Sequence, residues 1–256
     1  MWLKALVTPV PKKTPPTDFS HLRPISVTSI TFRVERLIVR KYLLPALPSD
    51  QILDQYAYRR TGSTTSALIA TIHHISRLLE SSSYVRCIFV DYSKAFDTIN
   101  HAILFQKLQQ LTIPPNILLW IINFLSGRTQ AVSACGQSSG WLPVSQSKDP
   151  VLAPIFTWCM LQTCKLCRLI MVSLSTPTLL VDQHSSVGIQ QEYENICSLS
   201  ARNRLTINSD KTKEIVFHRP ASRHLNIPPP LSDIERVTQA TLLGFDITPS
   251  TLSTSV

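Results

Sequence analysis

The chain has 256 residues, 44% apolar and 16% charged, with a formal charge of +9. That apolar share can fill one large core or two small ones and excludes disorder throughout, while a basic surface favours polyanionic partners over acidic small substrates alone. Six scattered cysteines exclude a secreted disulfide framework and read as reduced thiols; with no charged leader before its apolar residues, MWLKALVTPVPKK reads as a fragment entered mid-domain.

The N-terminus begins strand-like. Pro9 to Pro24 then reads as a proline-punctuated loop carrying Lys12, Lys13 and Arg23, and a helix is expected over Ser29 to Leu44. Leu68, Ile72, Ile75 and Leu79 recur at helical spacing after the polar run Thr61 to Thr65, which predicts an amphipathic helix with those residues on the core face. Val85 to Val90 suits a buried strand ending directly at Asp91. Leu104, Leu108 and Leu111 mark a helix. Another follows Pro114 and Pro115 and stops at Gly127, and TQAVSA alternates as a strand. Further on, Ile189 to about Asn203 reads as a helix. LTINSDKTKEIVFHRP offers two short strands about a turn at Asn208 to Lys211, TLLGFDIT reads as one more strand, and the tail as frayed. Mixed strands and helices imply an α/β or α+β fold. Eighteen prolines against six glycines leave few of the residues that allow close backbone approach in a catalytic site.

Asp91 and Asp97 in FVDYSKAFDTINH are two carboxylates at a strand end. They could organise a divalent cation, or be a solvated aspartate and a helix cap. Lys12, Lys13 and Arg23 could clamp phosphates or form a solvated basic loop. The stretch Lys148 to Asp182 has no acidic residue between Asp149 and Asp182 and contains Cys164-Lys-Leu-Cys167. That pair has no second pair at zinc-site spacing, and a membrane span would bury Lys165 and Arg168 at roughly 2.5 to 3.5 kcal/mol each.

FVDYSKAFDTINH, with HLRPISVTS and QYAYRRTGSTTSALI before it and WIINFLSGRTQAV after, resembles the reverse transcriptase domain of a non-LTR (LINE-type) retrotransposon. NRLTINSDKTKEIVFHRP and TLLGFDIT resemble later palm segments of that family. The resemblance implies an α+β right hand: a partial fingers-like segment over 1–82, a first palm segment over 83–146 bearing Asp91, an anomalous segment over 147–180, and the rest of the palm with a frayed tail over 181–256. It further implies a disrupted palm centre and no thumb. Family members copy RNA into DNA by a two-metal displacement using Mg²⁺, with an RNA template and a DNA primer as partners. By position Asp91 resembles the first metal-binding aspartate, Phe96 the aromatic gate under the sugar, Arg23 and one of Lys12 or Lys13 the finger residues on the triphosphate, and Lys211 the lysine near the leaving group. No membrane and no protein partner is implied. An intracellular location is expected, with no choice between nucleus and cytoplasm.

The family's QG segment and its Tyr-Ala-Asp-Asp turn should fall between Ser147 and Leu180, and neither string occurs there. The pattern stops and resumes abruptly, as a shifted reading frame would make it. Joining the third base of each codon to the first two of the next forces valine from Trp158 and Cys159, and alanine or valine from Met160 and Leu161. With permitted choices at degenerate bases, Lys148 to Arg168 reads QGSGIGPYLYMVYASDLQTVS, and Leu174 to Thr178 yields lysine, tyrosine, alanine, aspartate and the first base of another codon. One indel near Ser147 and a compensating one near Thr178 account for both.

Two expectations follow, with two alternatives. A chain keeping one of three metal carboxylates, with Asp149 in the former glycine position beside the nucleotide, should not polymerise. Its palm centre should be irregular, since Leu169 to Val181 carries no hairpin signal beyond Thr176-Pro177. The alternatives are a non-catalytic nucleic-acid-binding protein using Lys12, Lys13, Arg23, Arg59 and Arg60, and an active polymerase obscured by a gene-model frame error.

Overall fold

The computed structural model describes residues 4–12, 14–27, 34, 37–47, 56, 63–93, 99–143, 169–173, 176–182, 184, 188–219, 227–243 and 245–249. The chain divides into two compact units, Met1–Pro48 with Phe96–Met160, and Ser49–Ala95 with Leu161–Val256.

In the first unit, β1 (Lys4–Pro11) lies between β2 (Leu22–Val27), antiparallel to it, and β4 (Thr129–Ala134), parallel to it. The expected proline loop is therefore shorter than Pro9 to Pro24. Prolines enter the strands because β4 pairs only Lys4 to Val7; Pro9 and Pro11 lie beyond it, where their missing N–H groups cost no ladder bond on that side. The chain turns back through a 3-10 turn at Phe19–His21. Of the helix expected over Ser29 to Leu44, residues 34, 37 and 38 are helical, Val39–Leu43 is π-helical, and the helix runs into Leu44–Ala46.

Helix α2 (His101–Leu108) is capped by Asn100, whose side chain accepts the Ile103 N–H at 3.1 Å, and it buries Leu104 and Leu108. Pro115 opens α3 (Pro115–Leu125), whose N–H-free first position suits it, and Gly127 follows at φ 65° as the left-handed stop. Trp120 stacks on Phe124, and the guanidinium of buried Arg128 sits 4.5 Å from the Phe124 ring centroid. Two short strands, β5 (Gln137–Ser138) and β6 (Leu142–Pro143), pair back onto β4.

The second unit is built on β3 (Tyr84–Phe89), the middle of a five-stranded sheet. Its neighbours are β8 (Thr176–Asp182) and β9 (Lys213–His218), both antiparallel to it; β7 (Leu169–Ser173) pairs with β8, and β10 (Glu235–Arg236) runs parallel to β9. Every residue of β3 from Val85 on is buried, because both faces are covered. On one face Val85, Cys87 and Phe89 join Ile215 and Phe217 against helix α1 (Thr64–Ser81). Ser63 caps α1 by accepting the Ser66 N–H at 3.0 Å.

The buried stripe of α1 is Ala67, Thr71, Ile75 and Leu79; of the expected face, Leu68 and Ile72 are half-buried, with Leu68 still packed against the core. Small residues let the helix approach the sheet closely, and the Thr71 hydroxyl is satisfied by donating to the Ala67 carbonyl at 2.9 Å. Helix α4 (Ile189–Arg202) buries Ile189, Tyr193, Ile196 and Leu199, matching its sequence pattern. TLLGFDIT forms a hairpin of β11 (Ala240–Leu242) and β12 (Phe245–Ile247) instead of one strand, with Leu243 at φ 55°.

The stretch expected to be irregular is paired at Leu169–Ser173 and Thr176–Asp182. LIMVS and TPTLLVD carry enough apolar and β-branched residues to complete a sheet whose bonds come from the backbone, and Pro177 is taken up beside a register shift between Met171 and Ser173. Among the described residues no helix is long and apolar enough to cross a membrane. Cys164, Cys167, Asp149, Arg59 and Arg60 lie outside the described residues.

Candidate polymerase site

The second unit brings Asp91 and Lys211 together. Asp91 leaves the C-terminal end of β3, and the chain beyond it is tied down by three backbone links: Asn208 N–H to the Asp91 carbonyl at 2.8 Å, Ser93 N–H to Thr206 at 2.9 Å, and a bridge between Tyr92 and Ile207. The expected turn at Asn208 forms for the reason that asparagine favours turns. The Asn208 carbonyl accepts both the N–H and the hydroxyl of Thr212, at 2.9 and 2.8 Å, and its side chain accepts the Lys211 N–H at 3.3 Å. Thr212 Oγ1 in turn accepts the Asp91 N–H at 3.2 Å. This turn fixes Lys211 next to the strand end. Behind it the phenol of Tyr92 meets Ser200 Oγ at 3.0 Å, anchoring the strand exit to α4.

Half-burial lifts the Asp91 carboxyl above the usual carboxylate range, and the Lys211 ammonium and a backbone hydrogen bond at Tyr92 offset part of that rise. Asp91 opens into a cavity of about 420 Å³ whose polar lining includes Asp210, Lys211, Lys213, Gln239 and Thr241, with Phe89 and Leu242 among the apolar residues. Two carboxylates and two ammonium groups balance on that wall.

This donor set does not fit a pair of divalent cations, which need several convergent oxygen ligands and a net negative field. Among the described residues no group of three or more His, Cys, Asp or Glu could hold a metal ion. The register also shows which residues pair at the strand end. Phe89 pairs with Thr178, and in an antiparallel ladder two steps forward on β3 are two steps back on β8, so the level of Asp91 corresponds to position 176. There Ser173 pairs with Thr176, and neither carries an acid.

In the first unit Lys12 and Arg23 sit near one end of the β1–β2 pair: Arg23 is opposite Val10, and the Lys12 N–H donates to the His21 carbonyl at 2.7 Å. Both residues are exposed. Lys13, Phe96 and Asp97 lie outside the described residues.

One cluster is absent from the sequence reading. Buried Glu214 on β9 receives the Nε–H of Arg86 from β3, and the Nε–H and an Nη2–H of Arg236 from β10 at 3.0 and 3.2 Å. An arginine inside the apolar run YVRCIFV and a glutamate inside KEIVF were the available signal, since charged residues are almost never fully buried unless paired.

The family model for reverse transcriptase (RNA-dependent DNA polymerase) matches residues 10–247. The chain is 30% identical over 147 residues to the RNA-directed DNA polymerase from mobile element jockey of Drosophila melanogaster, covering 54% of this chain and 16% of that protein. It is 28% identical over 131 residues to the retrovirus-related Pol polyprotein from type-1 retrotransposable element R2 of Popillia japonica, covering 51% of this chain and 18% of that one. The chain thus spans under a fifth of the length of these relatives. The solved telomerase of Candida tropicalis in complex with a fragment of telomeric RNA is similar in fold, with a TM-score of 0.57 at 14% identity over 98% of this chain and 44% of that one. Its apo form, truncated from its C-terminal domain, gives 0.54 at the same identity and covers 98% of this chain and 54% of that one. The motif series, the Asp91 strand end and these likenesses have one origin: the chain belongs to the reverse transcriptase (RNA-dependent DNA polymerase) family.

Proposed function

We propose that this is the reverse transcriptase domain of a non-LTR retrotransposon that has kept the strand-end aspartate and lost the catalysis. In this reading Asp91 stands at the position of the first metal-binding aspartate and Lys211 at that of the lysine near the leaving group. Lys12, Lys13 and Arg23 are the triphosphate contacts and Phe96 is the sugar gate. The observation that carries the reading is the cavity wall at Asp91, where Asp210 is the one other lining carboxylate and Lys211 and Lys213 offset both, with no group of three or more metal-ligating residues among the described residues. Mg²⁺ then meets two carboxylates, Asp91 and Asp210, offset by two ammonium groups, which is too little negative charge to hold a metal pair around a leaving pyrophosphate. The missing Tyr-Ala-Asp-Asp turn is attributed to a reading-frame shift between Ser147 and Leu180.

Primer extension on an RNA template with Mg²⁺ or Mn²⁺ tests the loss. No template-dependent synthesis is expected; synthesis that survives purification and disappears in Asp91→Asn overturns the reading. The nucleotide sequence across Ser147 to Leu180 tests the cause, since a frame encoding QG and Tyr-Ala-Asp-Asp must be present there.

A second reading is favoured by the exposed Lys12 and Arg23 on the β1–β2 pair: a non-catalytic grip on RNA or DNA. Phosphate-driven retention of single-stranded nucleic acid that weakens steeply with salt supports it. Salt-independent or absent retention excludes it.

A further inference from the structure

The cavity beside Asp91 has a wall, Val237 to Leu242, whose attachment to the sheet is unusual. Its only backbone pairing in the preceding strand is β10, two residues long and parallel to β9 (Glu235↔Lys213, Arg236↔Glu214) among the described residues. So short a parallel ladder supplies very few hydrogen bonds and is not stable by itself. The segment before it, Ile227-Pro228-Pro229-Pro230, cannot help from its own donors, since three consecutive prolines have no N–H.

Charged side chains do what the backbone cannot. Arg86, Glu214 and Arg236 lie on one face of three adjacent strands, because Glu214 pairs with Ile88, two residues from Arg86, and Arg236 pairs with Glu214 itself. The Glu214 carboxylate is shared by both guanidinium groups, and its side chain has 0% exposure. The remaining guanidinium donors reach the prolines: Arg86 Nη2 to the Pro229 carbonyl at 3.1 Å, Arg236 Nη1 to the Pro228 carbonyl at 2.9 Å, and Arg236 Nη2 to Pro229 at 3.2 Å. The Val237 N–H then donates to the Glu214 main-chain carbonyl at 2.9 Å, which starts the cavity wall.

We propose that Glu214 is a positioning residue: by joining Arg86 to Arg236 it clamps the triple-proline loop and β10, and so holds the Val237 to Leu242 wall against the Asp91 end of β3. The clamp sets the width of the cavity whatever ligand enters it, and it does not depend on whether the chain polymerises.

Amide hydrogen exchange on the full chain tests this. In Glu214→Gln the amides of 237–242 exchange about tenfold faster or more, while those of β3 and β8 keep their rates; local opening has that signature and global destabilisation does not. A volume-matched apolar set, Arg86→Met with Glu214→Leu and Arg236→Met, removes the penalty of an unpaired buried charge and stays folded. It too loses protection at 237–242 first, because its side chains offer no donor to Pro228 and Pro229. It decides the matter if Glu214→Gln does not fold. Unchanged or uniformly faster exchange in Glu214→Gln, or wild-type protection of 237–242 in the apolar set, overturns the proposal.

Discussion

Thr178→Val should stabilise the second unit. Thr178 is completely buried in β8 opposite Phe89, and its Oγ1 has no hydrogen-bond partner among the described residues. A buried hydroxyl left without a partner costs about 1–3 kcal/mol relative to a satisfied one. Valine keeps the β-branched shape and the strand preference, and replaces the hydroxyl with a methyl group of similar size. The expected gain is about 1–2 kcal/mol, or roughly 2–8 °C in the melting temperature of a domain this large. Urea unfolding followed by a probe confined to the second unit reads it, with Thr178→Ser as the control that keeps the hydroxyl and deletes the methyl. Serine should lose stability, by the missing methyl and its cavity. A Thr178→Val protein less stable than the parent refutes the reasoning, because the hydroxyl must then be satisfied. The position matters for the proposed history as well: the last complete codon of the shifted frame, aspartate, takes two of its bases from Thr178.

Asp91→Asn should stabilise at neutral pH, and the gain should vanish in acid. A carboxyl whose folded pKa lies above its unfolded value of 3.8 costs nothing when protonated in both states, and the cost grows as pH rises through the folded pKa; melting temperatures of the two proteins therefore converge toward pH 4 and separate toward pH 7. Ser63→Ala removes the cap of α1 and should cost about 1 kcal/mol, read by denaturant unfolding, with Ser63→Asp restoring most of it. The Tyr193 phenol, pushed up to about 12 mainly by burial, should stay protonated through pH 11 in an ultraviolet titration of the folded protein, and a native-state ionisation near pH 10 assigned to it by Tyr193→Phe contradicts its packing.

Periodicity and capping signals made most of the frame legible. Gly127 and the apolar spacing of α4 act locally, so their sequence signatures survive folding unchanged. Asp91 and Lys211 were also legible, as motif positions; their adjacency was not, because it depends on the Asn208 turn and the β3–β9 register. Burial on α1 shifted from Leu68 and Ile72 to Ala67 and Thr71 since helix-to-sheet distance, a tertiary quantity, favours small residues. The Glu214 cluster was hidden for a related reason. Its three members are separated by up to 150 positions, Arg86 to Arg236, and no local pattern announces that charges so far apart share one carboxylate.

The pairing of Leu169–Ser173 with Thr176–Asp182 explains how such a chain can retain its family's fold if, as proposed, it has lost the chemistry. A sheet asks a strand for backbone hydrogen bonds and for side chains that tolerate a pleated, half-buried surface, and many residue sets satisfy both. On the proposed frame shift, the misread codons returned leucine, isoleucine, methionine and valine between residues 169 and 172, which meets that demand by composition alone. β3 keeps a neighbour on each side, with Val85 to Phe89 paired to Asp182 through Thr178, so the Asp91 end of the strand stays anchored. Catalysis asks for something no composition supplies: particular acids at one level of the ladder, close enough to share a cation. Replacing Ser173 or Thr176 by aspartate one at a time should therefore leave the chain inactive, since a single added acid does not restore a Tyr-Ala-Asp-Asp turn. Primer extension by either single variant would show that one added acid on this strand pair, rather than the full turn, is sufficient.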